Sequence, residues 1–372
     1  MNENNITRFE VSNFKKFDHL VVENIGQVNL ITGDNNVGKT TLLEALLCSK
    51  LNIVWIKYLH QILDNRKISF HLEDIRSVSP KFPLENFLTY IFKDLEEKLV
   101  CTYQLMSGQT KMLSLEYKQL KEITIDLMKQ YRSDNYQVFN APDWLFFYED
   151  GKIKELEWLY CDDIRFPDGL YMPLISLSNS SDDYLERMII EMNLDERKFI
   201  INSLKTWVPD IEDFDYAQVG KFKLVRIATS SNNKYNAITT FGDGVQFAFR
   251  YLVEIIYAAS RGMREDRIMI DEIDTGLHYL KMKEVWKAIF WVSQQRGIQI
   301  FATTHSMDCI KAFAEAAEET EGWGEKIRLI ELKEANVKGK NKMYVNTFTI
   351  ENIEAGIESS YDMRGGRIYG QY

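Results

Sequence analysis

Lys39 and Thr40 follow Gly33-Asp34-Asn35-Asn36-Val37-Gly38, and this order of residue types suits the holding of a polyphosphate. Backbone N–H groups of such a loop wrap the β- and γ-phosphates, the lysine neutralises them and the threonine hydroxyl ligates magnesium. Gly33 and Gly38 admit backbone conformations and a close approach that a Cβ would block. A helix beginning near Gly38 points the positive end of its dipole at the phosphates. The candidate nucleotide contacts are therefore Gly33, Asn35, Asn36, Val37, Gly38, Lys39, Thr40 and Thr41, with Thr40 also a candidate metal ligand. The competing explanation is a chance glycine pair before a helix. Against it, the apolar run from Val28, the loop and an amphipathic continuation to Leu47 follow one another in register.

Two carboxylates stand far downstream, in Arg267-Ile268-Met269-Ile270-Asp271-Glu272. A short apolar run of this kind reads as a parallel strand next to the phosphate-loop strand, delivering its last residues at the carboxyl edge of the sheet. Asp271 is then placed to hold the magnesium shell and Glu272 to act as general base on the attacking water. Asp274-Thr275-Gly276-Leu277-His278 follows as a tight loop. A second buried strand, Ile298 to Ala302, runs into Thr303-Thr304-His305-Ser306, which puts His305 at a strand end beside the carboxylates, fit to touch the γ-phosphate or orient the water. A lone histidine is more often structural, and it is the order of the surrounding elements that favours function. Gly242-Asp243-Gly244 opens a helix with apolar residues at Val245, Phe249, Leu252, Val253 and Ile256. Such a start can hold an anion, although Gly-Asp-Gly is also common in turns.

These residues need a scaffold, and 372 residues suffice for two or three lobes around a large core. With 45% hydrophobic and 27% charged residues the composition is that of a globular protein. No apolar run approaches the roughly 18 residues of a membrane span, and the start lacks the pattern of a signal peptide, so a cytoplasmic protein without a membrane partner is expected. Cys48, Cys101, Cys161 and Cys309 form no C-x-x-C pair and suggest neither disulfides nor zinc. A net charge of −10 argues against a wholly basic surface but leaves room for a local groove, so nucleic acid stays a possible partner.

The pattern expected is α/β. Thr7 to Ser12 and Leu20 to Asn24 alternate around the FKKF turn and read as an antiparallel pair. Phe14 or Lys15 in that turn is either an adenine contact or, equally well for Phe14, a core residue. Leu99 to Met106 and Lys111 to Tyr117 flank a hairpin turn and read as part of a small β-subdomain near 98–150. Gln104 and Gln109 there are candidate metal-sensing glutamines or polar strand positions. Asp182 to Asp213 has helical spacing with Pro209 as a stop and reads as the core of a mainly helical second lobe, 166–224, set into a lobe made of 1–165 and 225–372. Ser176 to Asp183 is the hinge candidate. A helix from about Leu280 to Ser293 is expected, then two strand-like segments, Lys326 to Leu332 and Met343 to Thr349, joined by the polar turn Lys338 to Lys342.

The combination of GDNNVGKT, FGDGVQ, IMIDEIDTGLH and ATTHS, in this order over Gly33 to Ser306, resembles the ABC-type ATPases of the SMC, RecF and OLD (overcoming lysogenization defect) group, particularly the stand-alone bacterial ATPases of antiphage defence. The resemblance implies an ABC-type P-loop NTPase head with a mixed β-sheet, a β-subdomain and an inserted helical lobe, using ATP and Mg2+. It implies that Lys39 and Thr40 form the Walker A site, Asp271 and Glu272 the Walker B site, that Asp274 belongs to the D-loop and that His305 is the switch histidine. It further implies that Gly242, Asp243 and Gly244 form the signature motif, completing the ATP site of a second copy of the chain in a homodimer or higher oligomer. The family's signature commonly has a serine where Gly242 stands, so backbone donors would have to serve. The sequence after His305 is too short for the Toprim nuclease domain of OLD enzymes, and the expected partner is a separate effector protein such as a nuclease. An ATPase subunit of a membrane transporter and an ATP-holding scaffold with little turnover are the alternatives.

Overall fold

The computed structural model describes residues 2–47, 90–119, 143–158, 174–175, 182–205, 207–219, 222–261, 267–277, 279–337 and 340–365. In chain order its elements are β1 (Ile6–Phe14), β2 (Phe17–Val22), β3 (Val28–Gly33), α1 (Lys39–Leu46), β4 (Leu99–Leu105), β5 (Thr110–Gln119), β6 (Asp143–Glu149), β7 (Lys152–Trp158) and β8 (Leu174–Ile175). There follow α2 (Asp182–Glu191), α3 (Leu194–Leu204), β9 (Ile211–Val219), β10 (Phe222–Thr229), β11 (Asn232–Ala237), α4 (Asp243–Arg261), β12 (Arg267–Ile270), α5 (Tyr279–Arg296), β13 (Gln299–Thr303), α6 (Met307–Glu319), β14 (Ile327–Val337), β15 (Lys340–Phe348) and α7 (Ile350–Glu358).

A mixed sheet of order β15-β14-β3-β13-β12-β8 carries the candidate residues, and only β15 runs antiparallel to its neighbour. β3, β12 and β13 are buried along their whole length because both faces of the sheet are covered there. Val28, Leu30, Ile268, Ile270, Ile300 and Ala302 join the core built by α4, α5 and α6. Ile31, Met269, Phe301 and Ile330 join a second core with α1 and the strands β1 and β4. Asn29 and Thr32 are the polar residues buried in β3; the Asn29 amide serves Gly26 and the Ile300 carbonyl and Thr32 Oγ1 donates to the Met363 carbonyl, so neither is left stranded.

The sequence places β12 beside the phosphate-loop strand. In the structure β13 pairs with β3 and β12 lies one strand farther out. Three short apolar runs buried on both faces are indistinguishable by pattern, and their lateral order is set by the crossovers. The strands expected near 98–150 are β4, β5 and β6, and β4 pairs with β1, so that they extend the opening hairpin into one six-stranded sheet, β2-β1-β4-β5-β6-β7.

The helical stretch over 182–213 is two helices, broken where Asn193 caps α3 with a reciprocal Asn193–Glu196 capping box, and Ile211 already begins a strand. That strand belongs to a three-stranded antiparallel sheet, β11-β10-β9, where helix predominates in the sequence-based expectation. Phe214, fully buried and edge-on to Phe249 at 5.0 Å, ties it to α4. Most of the hinge candidate (176–181), Cys48, Cys161, His278 and residues 366–372 lie outside the described residues. Cys101 and Cys309 are buried thiols. Among the described residues no helix is long and apolar enough to cross a membrane.

Candidate active site

β3 ends at Gly33, and α1 begins at Lys39 with Gly38 as its N-cap at φ 114°, a left-handed conformation that glycine adopts without penalty. A Cβ at Gly38 would stand 2.9 Å from the Phe17 ring, so the β1–β2 turn is packed directly onto the loop. Phe14 in that turn is sealed in the core, and Lys15 is paired with the buried Glu44 of α1 and lies over the Tyr90 ring at 3.4 Å. The core alternative for Phe14 is the one the structure has, and Lys15 is engaged beneath the loop. Gln104 and Gln109 are exposed strand and turn positions.

The Lys39 ammonium donates to the carbonyls of Gly33 at 2.8 Å and Asp34 at 3.0 Å and lies 3.2 Å from His305 Nδ1. An ammonium group only donates, so Nδ1 accepts and the ring proton sits on Nε2. Burial lowers the Lys39 pKa to about 8, against the pull of Asp271, Asp34, Glu272 and Asp274. Burial and the Lys39 charge hold His305 below its ordinary value, so it is neutral at pH 7.

Thr40 Oγ1 donates to Asp271, 3.1 Å and 3.2 Å from its two oxygens. Asp271 reaches across the intervening strand because Thr303, at the end of β13, donates to its Oδ1 at 2.8 Å. The same Thr303 oxygen accepts the Glu272 N–H at 2.8 Å. Glu272 is a non-glycine residue at φ 52°, and Tyr251 of α4 donates to its carbonyl at 3.2 Å. A left-handed backbone at such a position persists only where its surroundings hold it there, and here a bond grips it from each side. Thr304 Oγ1 donates to Asp274 Oδ1 at 2.6 Å. Beneath it lies Cys309, whose thiol burial pushes up to about 12, an inert packing residue.

Lys39, Thr40, Asp271, Glu272, Asp274 and His305 are thus brought together beyond the ends of β3, β12 and β13, linked by Thr303, Thr304 and Tyr251. None of these last three is among the site residues expected from the sequence. The two threonines directly precede His305 at a strand end, but nothing in the sequence ties them to Asp271 or Asp274. Tyr251, one of many aromatics in an amphipathic helix, carried no signal.

Gly242 is exposed and Gly244 half-buried, and an added Cβ at either would meet nothing within 4 Å. Asp243 accepts a bond from Gln246 in its own helix at 3.2 Å.

The residues fit a polyphosphate with a hard cation. The loop presents a helix N-terminus and a buried amine, and Thr40 and Asp271 offer oxygen donors side by side. Among the described residues no group of three His, Cys, Asp or Glu side chains could hold a metal alone. An ion at Thr40 and Asp271 would need phosphate oxygens and water to complete its shell, as is usual for magnesium.

No family model matches the chain. A Helicobacter pylori protein named ATP/GTP phosphatase is 22% identical over 401 residues, spanning 97% of this chain and 100% of that protein. Among solved structures, the SMC head domain from Thermotoga maritima is 13% identical with a TM-score of 0.47, over 91% of this chain and 98% of that one. An SmcHead bound to the C-winged helix domain of ScpA is 11% identical with a TM-score of 0.44, over 94% and 99%.

Proposed function

We propose that the chain is a magnesium-dependent ATPase that hydrolyses ATP to ADP and phosphate. The observation carrying this is the convergence of Lys39, Thr40, Asp271 and His305 on one loop, with Glu272 held beside them in a constrained backbone. The similarity over nearly its whole length to a protein named ATP/GTP phosphatase supports the same conclusion. Phosphate oxygens are stronger acceptors for Lys39 than the two carbonyls it now serves, so its exchange onto a bound nucleotide is favourable. Magnesium, held by Thr40 and Asp271, would offset charge on the phosphates. Glu272 takes a proton from the attacking water, and the neutral His305 offers its Nε2–H to the γ-phosphate or the water.

The motif order supports a finer reading. In it, Gly242, Asp243 and Gly244 close the ATP site of a second copy, so that ATP drives dimerisation and hydrolysis reverses it. The chain is then the switch or sensor subunit of an OLD-like antiphage system, acting on a separate effector or on nucleic acid. The exposure of Gly242 and Asp243, and the open space beside Gly242 and Gly244, support a role toward a second molecule.

The enzymatic reading is tested by turnover of ATP and GTP. Lys39→Ala should abolish binding or turnover, and Glu272→Gln should keep binding while slowing hydrolysis by orders of magnitude, since the amide preserves shape without basicity. Parent-like rates in Lys39→Ala would sink the phosphate-loop assignment, and in Glu272→Gln the choice of base.

A further inference from the structure

Met363 to Gly365 play no part in the chemistry above, yet they touch the phosphate loop and its strand. After α7 the chain turns back through Ser360 at φ 58°, with the Tyr361 N–H donating to the Gly356 carbonyl at 2.9 Å. Met363 is fully buried, its methyl group filling the notch left by Gly356, where a Cβ would come within 1.7 Å. Its carbonyl accepts a 2.7 Å bond from Thr32 Oγ1, at the end of β3 and 331 positions away in sequence. Asp362 and Arg364 close a bidentate pair on the outer side, at 2.8 Å and 2.9 Å. Gly365, at φ 87°, then lies against the loop itself: a Cβ there would stand 2.8 Å from Gly33 Cα, 3.0 Å from Asp34 N and 3.0 Å from Leu332 O. All three neighbours are backbone atoms, which cannot rotate aside. Two of them belong to the residues whose carbonyls hold Lys39.

We propose that Met363 to Gly365 form a backbone buttress that positions Gly33 and Asp34, making Gly365 and the Thr32–Met363 bond determinants of nucleotide affinity. The inference rests on the reading of the loop as a nucleotide site. The loop acts through main-chain N–H groups, and main chain has no rotamers with which to absorb a displacement. Misplacement of about 1 Å in a positioning element can cost about a hundredfold. Because the buttress touches Gly33 and Asp34 and neither Glu272 nor His305, its loss raises KM and leaves kcat near the parent value at saturating ATP.

The test is steady-state ATP turnover by the full chain with four variants. Gly365→Ala adds the Cβ that collides with the loop. Gly151→Ala is the control for backbone strain, because Gly151 has a comparable φ of 77° but nothing within 4 Å of its added Cβ. Thr32→Val removes the hydrogen bond and keeps the shape. Lys39→Ala reports on the site. The expected result is a KM at least tenfold higher for Gly365→Ala and about threefold higher for Thr32→Val, with kcat within threefold of the parent and Gly151→Ala unchanged in both. A purely structural segment would instead lower the melting temperature with KM unchanged. KM within twofold of the parent for Gly365→Ala overturns the inference. If that variant does not fold, an unchanged KM for Thr32→Val overturns it. Should Lys39→Ala lose activity while Gly365→Ala keeps its KM, the buttress alone fails. Should Lys39→Ala match the parent, the nucleotide site itself fails and the inference with it.

Discussion

The Tyr251 hydroxyl and the Glu272 carbonyl are joined by a 3.2 Å hydrogen bond, which connects the helix opening at Asp243 and Gly244 to the candidate base. The tyrosine is fully buried and its pKa is raised, first by burial and then by neighbouring acids, so the hydroxyl keeps its proton and stays a donor at any working pH.

Tyr251→Phe should therefore lower kcat about fivefold with little change in KM. One net hydrogen bond is worth about 1 kcal/mol, and its loss frees Glu272 to relax from the left-handed backbone and carry its carboxylate off line. Steady-state kinetics with a parallel melting curve checks this. A variant that melts lower but turns over at the parent's kcat would show that the bond serves packing alone.

ATP affinity should fall as pH rises above about 8. The free protein's Lys39 titrates near that value. A bound polyphosphate favours the charged amine and raises its pKa, so the complex holds more protons than its components between the two values. Affinity is then flat for this group below about pH 8 and declines by up to tenfold per pH unit above it. Dissociation constants at pH 7.5, 8.5 and 9.5 test the point, with Lys39→Arg, which stays charged throughout, expected to lose the slope. A parent slope of zero would mean that Lys39 does not meet the phosphates.

Gly244→Trp should leave ATP binding to one chain intact while blocking ATP-driven dimerisation and hydrolysis. Within its own chain the position lies in the first turn of a helix, and a Cβ added there meets nothing within 4 Å. A loss of activity in a variant that melts no lower than the parent then points to a second molecule. Mixed with Lys39→Ala, the variant should regain part of one site per heterodimer, because one chain supplies the loop and the other the glycines. No rescue in demonstrated heterodimers would argue that each site is complete within one chain.

The loop, the two carboxylates and His305 were legible because each is a residue type that few other tasks require at that spacing. The side chains that hold them were not. Thr303 and Tyr251 are ordinary strand and helix residues until the fold brings them to Asp271 and Glu272. Strand order was hidden for a related reason, since VNLIT, RIMI and QIFAT present the same pattern when both faces are covered. The strands β9 to β11 escaped because IEDFDYAQV is acidic and poor in β-branched residues, while the apolar spacing before it favoured helix. Gly365 gave no hint at all, because nothing local distinguishes a glycine that leans on a distant loop from one in a slack tail.

The central strand of the sheet has a consequence for how the chain is made. Asn29 bonds to Ile300, 271 positions later, and β3 has no partner strand nearer in sequence than β13 and β14. During synthesis VNLIT leaves the ribosome long before either neighbour exists. At roughly 5–20 residues per second, its unpaired edges and the face that Val28 and Leu30 turn to α4, α5 and α6 stay uncovered for tens of seconds. Pairing across so long a loop is also slow once it becomes possible. The most conspicuous segment of the protein is thus among the last to find its place, and until then it is a site for misassociation that a holding chaperone would have to shield.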